Sequence, residues 1–166
     1  MHFDLKSISL ESVPKALERI ERYRLLNEPS LAESICLDIL AVSPSHQQAL
    51  ISLLLARTDQ FGYGATMKSA EEVLLRIEGA YERAYYAGLI WERQGHAHIR
   101  QRAHLSHANS YHALRRAMES YEQAATLRPP GNDDAILRWN ACARVLMQNP
   151  EIRPMPDPEF QPITGE

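Results

Sequence analysis

A constant spacing recurs along the chain and constrains its fold more than any other feature. Three apolar segments, which begin at Ala16, Leu50 and Ala84, align without gaps at this spacing. The second halves of the first two units begin at Leu31 and Ala65, which are separated by the same distance in sequence. A period of about 34 residues is typical of stacked repeat architectures. The sequence therefore predicts an array of similar units.

An insertion interrupts the third unit. Its second half begins at Arg116, which is half a period later than the repeat spacing requires. A final half-unit begins at Ala135, and its distance from Ala84 is one full period plus the same half period. We therefore assign residues 96–112 to an insertion within the third unit.

Each half-unit has the pattern of an amphipathic helix. In the first, apolar residues such as Leu17 and Ile20 recur at steps of three and four, and Pro14 stands where a helix begins. Ser45 is predicted to open the third helix, and residues 132–134, Asn-Asp-Asp, to cap the last. The sequence predicts an all-α fold of about seven helices without a sheet.

Part of the insertion is predicted to lengthen a helix. Tyr111, Leu114 and Met118 continue an apolar stripe backward from the second half of the third unit, with Ser106 or Ser110 as its cap. About eight extra residues in each helix of this hairpin would project its tip by about 12 Å. We expect a protruding arm.

Three segments of the chain differ in composition. Residues 1–12 form an N-terminal segment, residues 13–147 the repeat domain, and residues 148–166 a tail that holds five of the ten prolines. Proline at this density favours extended, solvated structure. The two cysteines, Cys36 and Cys142, lie far apart in apolar helical patterns and are predicted to be buried thiols.

The repeat resembles the tetratricopeptide repeat family, whose units pair two helices through small and aromatic residues and close on a proline. The resemblance covers roughly residues 14–147, and the second unit matches least, with Arg57 where an aromatic residue is usual. The third unit carries Ala84, Ala87, Gly88, Trp91, Gly95, Ala117, Tyr121, Ala124 and Pro129. The first carries Ala16, Ile20, Tyr23, Ala32, Cys36 and Pro44.

The resemblance implies a right-handed superhelical array of antiparallel helix hairpins whose first helices line a concave, peptide-binding groove. Leu17 and Glu21 stand where the chaperone-binding subgroup has a lysine and an asparagine, which argues against binding of a chaperone tail. The apolar positions in the groove also fit the core. The implied groove residues are Glu21, Arg24, Gln48, Ile51, Leu55, Glu82, Tyr85, Leu89 and Glu92.

Residues 93–116 form a strongly basic stretch. They contain five arginines, five histidines and no acidic residue, whereas the whole chain has a formal net charge of -3. An acidic peptide, a phosphate group or RNA could bind there. A solvated hairpin tip is the alternative interpretation. The arginines are Arg93, Arg100, Arg102, Arg115 and Arg116.

Catalytic and metal-binding motifs find little support in the sequence. The chain has no Gly-x-Ser-x-Gly or His-Glu-x-x-His motif. Among the histidines, His104 and His107 can share a helix face, which gives too few ligands for a stable ion. We expect no enzyme, no cofactor and no metal.

The sequence favours a protein-binding adaptor over an anion-binding or nucleic-acid-binding protein. No run of eighteen apolar residues is present, and the N-terminal residues lack the basic start and apolar core of a signal peptide. We expect a cytoplasmic protein with another protein or peptide as its partner, without membrane association. Homo-oligomerisation is an open possibility.

Overall fold

A computed structural model describes residues 2–101 and 105–155. Seven α-helices follow a short 3-10 helix at Leu10–Ser12, and no β-strand forms within these two ranges. The all-α fold and the number of helices predicted from the sequence are confirmed. The helices are α1 (Val13–Leu25), α2 (Pro29–Val42), α3 (Gln47–Asp59), α4 (Met67–Leu74), α5 (Ala80–Gln101), α6 (Ser106–Leu127) and α7 (Asp134–Gln148).

Local sequence signals account for most helix starts. Prolines occupy the first turns of α1 and α2, where a missing N–H costs no helical hydrogen bond. Thr66 caps α4 by accepting a hydrogen bond from the Ser69 amide at 3.3 Å. The prediction that Ser45 caps α3 is wrong, because the His46 imidazole accepts the bond from the Ala49 amide instead. At α7, Asn132 Oδ1 accepts from the Asp134 amide at 3.0 Å.

The helices stack in chain order. Each helix packs against the next, and α1 also contacts α3, which in turn contacts α5. The first helices of successive hairpins are therefore neighbours. This arrangement puts α1, α3 and α5 on a common side of the array, where the first helices of a repeat protein are expected.

The insertion lengthens both helices of the third hairpin. α5 and α6 have 22 residues each, whereas α1 and α2 have 13 and 14. The predicted cap at Ser106 or Ser110 is wrong, because α6 begins at Ser106 with Leu105 in the N-cap position and no side-chain cap, and the Ser110 hydroxyl donates to the Ser106 carbonyl within the helix. Arg102 and His104 lie outside the described residues.

The lengthened hairpin is packed along most of its described length. Ala97 and Ser110 are buried, and Arg100 Nη2 donates a hydrogen bond to the Phe61 carbonyl at 3.3 Å. The described part of the arm, residues 96–101 and 105–112, therefore rests partly on the α3–α4 turn, and the projection of its tip stays a prediction. Extra turns of helix expose new apolar surface, and here that surface is covered by the opposite helix and by the α3–α4 turn.

The core consists of two clusters that meet at α5. The first is built from α1 to α4 and takes Leu89, Ile90 and Ala97 from α5. The second takes Ala84 from α5 and is completed by α6 and α7. Each cluster holds one of the two cysteines predicted to be buried, and burial raises the pKa of both thiols to about 12. α5 thus lies between the two clusters and contributes side chains to both.

Glycines set the close approach of α5 to α6. A Cβ atom added to Gly88 would lie 2.7 Å from the Tyr121 ring, and one added to Gly95 would lie 3.0 Å from Leu114. Both distances are shorter than ordinary van der Waals contact. The prediction that Gly88 lets the two helices pack closely is confirmed.

The ends of the chain are only partly described. Residues 2–9 are not helical, and Ile152 is buried although it follows α7 in the proline-rich segment. The tail predicted to be extended falls mostly on residues 156–166, outside the described residues. None of the described helices combines the length and hydrophobicity needed to cross a membrane.

Candidate functional site

A cavity opens on the side of the array formed by the first helices. It has a volume of about 780 Å³ and lies where α1 and α3 end, beside the middle of α5. We name it the arginine cavity. Its lining residues are Arg24, Asn27, Pro29, Ser30, Thr58, Asp59, Gln60, Tyr63, Arg93 and Arg100.

Asp59 joins two of the three arginines. Arg24 Nε and Nη2 each lie 2.9 Å from Asp59 Oδ2, which makes a well-formed charge-assisted pair. Arg93 Nη2 lies 3.5 Å from the other oxygen of the same carboxylate. One carboxylate therefore holds α1 and α5 against α3, and its pairing with Arg93 is the weaker of the two.

Arg100 reaches the cavity from the lengthened part of α5. Its hydrogen bond to the Phe61 carbonyl ties it to the α3–α4 turn, whose Phe61 side chain is buried and fixes the turn. Tyr63, in the same turn, is 81% exposed at the cavity rim. The insertion thus contributes one charged side chain to the cavity.

The cavity is electropositive. Three guanidinium groups face one carboxylate among the lining residues, which leaves a formal charge of +2. Arg93 Nε is buried and has no hydrogen-bond partner among the described residues. A buried donor without a partner costs free energy, which an anion bound nearby can recover by drawing the guanidinium into a hydrogen bond.

The predicted groove residues separate into three groups. Arg24 lines the cavity, and Glu21 and Gln48 are both exposed at the surface. A second group is half-buried and consists of Ile51, Leu55, Glu82 and Tyr85. The third group corrects the prediction, because Leu89 and Glu92 are only 2% and 5% exposed. α5 has a core cluster on each side, so these two positions are enclosed and do not face a groove.

Glu92 belongs to a buried polar network that joins three helices. Its carboxylate accepts a hydrogen bond from the Tyr121 hydroxyl at 2.6 Å and another from Arg138 Nη1 at 3.1 Å. His96 Nε2 lies 3.9 Å from the same carboxylate, and burial lowers the pKa of this histidine. The network fixes α6 and α7 on α5, which is a structural role.

The arginines of residues 93–116 do not form one surface. Arg93 and Arg100 line the cavity, whereas Arg115 is exposed on α6, which contributes no residue to the described lining. Arg116 lies over the Trp91 ring at 5.6 Å and pairs with Glu119 at 3.5 Å. Two of the predicted anion-binding residues thus join Arg24 of the predicted groove.

The sequence-based prediction missed Asp59 and Tyr63. A signal for Asp59 is present in the sequence, because Asp59 and Arg93 are separated by one repeat period and so occupy equivalent positions in neighbouring units. Opposite charges at equivalent positions of stacked helices are placed to attract one another. Tyr63 lies in a turn, where the repeat spacing carries no information.

Metal ligation finds no site in the described part of the chain. No group of three or more His, Cys, Asp or Glu side chains there is close enough to hold an ion. The absence of a metal, a cofactor and an enzymatic activity remains a prediction.

The chain was compared with protein-family models, with curated proteins and with solved structures. None of the three comparisons gives a match.

Proposed function

We propose that this chain is a cytoplasmic, non-enzymatic adaptor of the tetratricopeptide type. In this proposal the side formed by α1, α3 and α5 binds a peptide segment of another protein. The order of helix packing supports it, because the first helices of successive hairpins lie beside one another. The half-buried Ile51 and Leu55 on α3 add apolar surface on which a peptide side chain can rest.

One observation carries the proposal. The arginine cavity draws its lining from α1, α3 and α5 together, which is the surface that a groove-bound peptide would cross. Ligand sites are commonly concave and contain a few placed polar groups. The open cavity at the ends of the helices suits an extended segment.

Nucleic-acid binding through residues 93–116 is the weaker alternative. It requires the arginines of that stretch to act on one surface, but Arg93 and Arg116 interact with different partners on different helices. Stacking of bases needs exposed aromatic rings. Tyr111, the aromatic residue of the stretch, is half-buried.

The proposal is tested by selecting phage-displayed peptides on the intact protein and measuring their affinity for three variants. Gln48→Trp places a bulky side chain at the surface of the predicted groove, and Tyr63→Ala removes the aromatic ring at the cavity rim. Leu37→Trp is the matched control, because Leu37 is exposed on α2, a second helix. We expect at least tenfold weaker binding for the first two variants and an unchanged affinity for the control.

All three positions lie at the surface, so none of the substitutions should unfold the protein. Circular dichroism of each variant checks this point. The binding surface would lie elsewhere if peptides had the same affinity for Gln48→Trp and Tyr63→Ala as for the unaltered protein. The same conclusion would follow if only Leu37→Trp lowered their affinity. Failure to enrich any peptide, from either an unmodified or a kinase-phosphorylated library, would contradict the proposed adaptor function itself.

A further inference from the structure

We infer that the arginine cavity binds a phosphate monoester, carried as a phosphorylated side chain on the peptide that the groove receives. This inference rests on the proposed peptide-binding function and specifies the chemistry of the bound segment. It is carried by the charge, the donor arrangement and the size of the cavity.

The charge of the cavity matches a dianion. Arg24, Arg93 and Arg100 exceed Asp59 by a formal charge of +2. A phosphomonoester carries about -1.5 to -2 at neutral pH, whereas a single carboxylate carries only -1. A bound phosphate would therefore neutralise the cavity, and one carboxylate would leave it positive.

The donors come from two helices. Arg24 lies at the end of α1, Arg93 lies in the middle of α5, and Arg100 is about two turns further along the same helix. A tetrahedral phosphate presents three oxygens to donors that surround it, whereas a planar carboxylate pairs best with one guanidinium edge. Three arginines around one space thus fit the phosphate better.

Asp59 leaves two of these arginines available. It makes its shorter contacts with Arg24, stands 3.5 Å from Arg93, and makes no described contact with Arg100. Arg100 is held by a neutral carbonyl, and Arg93 Nε has no partner among the described residues. Charged donors with weak or missing partners are ready to bind an anion without first breaking a strong ion pair.

The start of α2 adds to the attraction for anions. Pro29 and Ser30, its first two residues, line the cavity, and Glu28 makes no side-chain cap within the described residues. The positive end of a 14-residue helix therefore faces the same space. This contribution supplements the arginines.

The cavity is larger than one phosphate group. Its volume of about 780 Å³ leaves room for the residues on either side of a phosphorylated side chain, and the exposed Tyr63 ring at the rim offers them an apolar contact. A cavity for a free inorganic ion would need only a small part of this volume. The size therefore leaves room for a phosphate carried on a peptide.

The first experiment follows the arginine Nε–H signals by NMR while inorganic phosphate, sulfate, malonate or acetate is added at constant ionic strength. We expect saturable shifts for Arg24, Arg93 and Arg100 with the two tetrahedral anions, and much smaller shifts with acetate and malonate. Arg100→Gln should weaken phosphate binding by roughly tenfold or more. Arg115→Gln makes the same charge change outside the cavity and should have less than a twofold effect.

The second experiment measures peptides with a central phosphoserine and degenerate flanks against the same peptides without phosphate. We expect the phosphopeptides to bind at least tenfold more tightly than both inorganic phosphate and the unphosphorylated peptides, and to lose this advantage in Arg100→Gln.

Several results would overturn the inference. Equal responses to acetate and phosphate, or an equal loss in Arg115→Gln and Arg100→Gln, would reduce the effect to general charge attraction. Malonate binding as tight as phosphate would assign the cavity to paired carboxylates. If phosphopeptides bound no more tightly than inorganic phosphate, the arginine cavity would be a site for a free ion. Unphosphorylated peptides that still bind through Gln48 and Tyr63 would leave the adaptor function intact, so the two failures are distinguishable.

Discussion

The second and third hairpins share one repeat spacing but are held together by different physical means. In the second hairpin, α4 has only 8 residues, and Arg57 binds Glu33 Oε1 at 2.9 Å and the Ser69 carbonyl at 2.6 Å. In the third, Trp91 occupies the position equivalent to Arg57, and α5 packs closely on α6 around the fully buried Tyr121. A polar network replaces an aromatic contact at the same place in the repeat.

The difference has an energetic consequence. Buried apolar side chains contribute about 1.5 to 3 kcal/mol each, whereas partly exposed ion pairs contribute about 1 kcal/mol or less. Substitutions in the aromatic packing of the third hairpin should therefore cost more stability than substitutions in the polar network around Arg57.

Tyr121→Ala should have the largest effect on the free energy of unfolding. It removes a fully buried ring and leaves the Glu92 carboxylate, which is also buried, without its hydroxyl donor. We expect a loss of about 4 kcal/mol, as is usual when a buried aromatic residue becomes alanine. Urea denaturation measures this loss in the free energy of unfolding. Tyr63→Ala, at an exposed tyrosine, is the control, and equal losses in both variants would refute the contrast.

Gly88→Ala should destabilise the protein by about 1 to 3 kcal/mol, because the added methyl group would lie 2.7 Å from the buried Tyr121 ring. The sign of the change in stability is informative. In an unhindered helix, glycine to alanine stabilises by up to about 1 kcal/mol. A thermal or urea unfolding midpoint that rises in this variant would show that α5 and α6 are not in such close contact.

Arg57→Leu should cost about 1 to 2 kcal/mol, less than Tyr121→Ala in the third hairpin. The substitution leaves Glu33, which Gln60 also contacts at 2.8 Å, without its charged partner. Arg19→Leu, at an exposed residue of α1, is the matched control and should change stability by less than about 0.5 kcal/mol. A larger loss for Arg57→Leu than for Tyr121→Ala would reverse the comparison.

The smallest expected effect is a difference in reactivity between the two thiols, one of which lies in each core cluster. Burial raises the pKa of both to about 12, so neither should react with a thiol reagent at about pH 8 unless its cluster opens. Cys142 lies on the terminal helix α7, which packs mainly on α6, and terminal elements open more readily. Mass spectrometry should find Cys142 labelled before Cys36. The opposite order would place the weaker cluster at the N-terminal half.

The repeat spacing is enough to predict the helices and the cause of the third hairpin's length. The extra half period has to be absorbed somewhere, and the apolar stripe through Tyr111, Leu114 and Met118 indicates that it continues a helix. The spacing does not tell which face of α5 is open. Leu89 and Glu92 are predicted to face the groove, and correcting this requires knowing that clusters of side chains cover α5 on both sides.

The arginine cavity is predictable only in pieces. The sequence assigns Arg24 to the groove and Arg93 and Arg100 to the basic stretch, since sequence distance gives no reason to join them. Their meeting depends on the stacking of α1, α3 and α5, on the carboxylate of Asp59, and on the bond from Arg100 to the Phe61 carbonyl. Each of these is a contact between units, which the pattern within one unit does not contain.

α5 contributes to both core clusters and therefore links the two halves of the molecule mechanically. Glu92 and Arg93 are consecutive residues, yet one is bound to Tyr121 and Arg138 on the far side and the other faces the arginine cavity. Because a helix backbone is stiff, a displacement of α5 at Arg93 would also displace Glu92. A shift of α5 at the cavity would therefore reach, one peptide unit away, the carboxylate that holds α6 and α7.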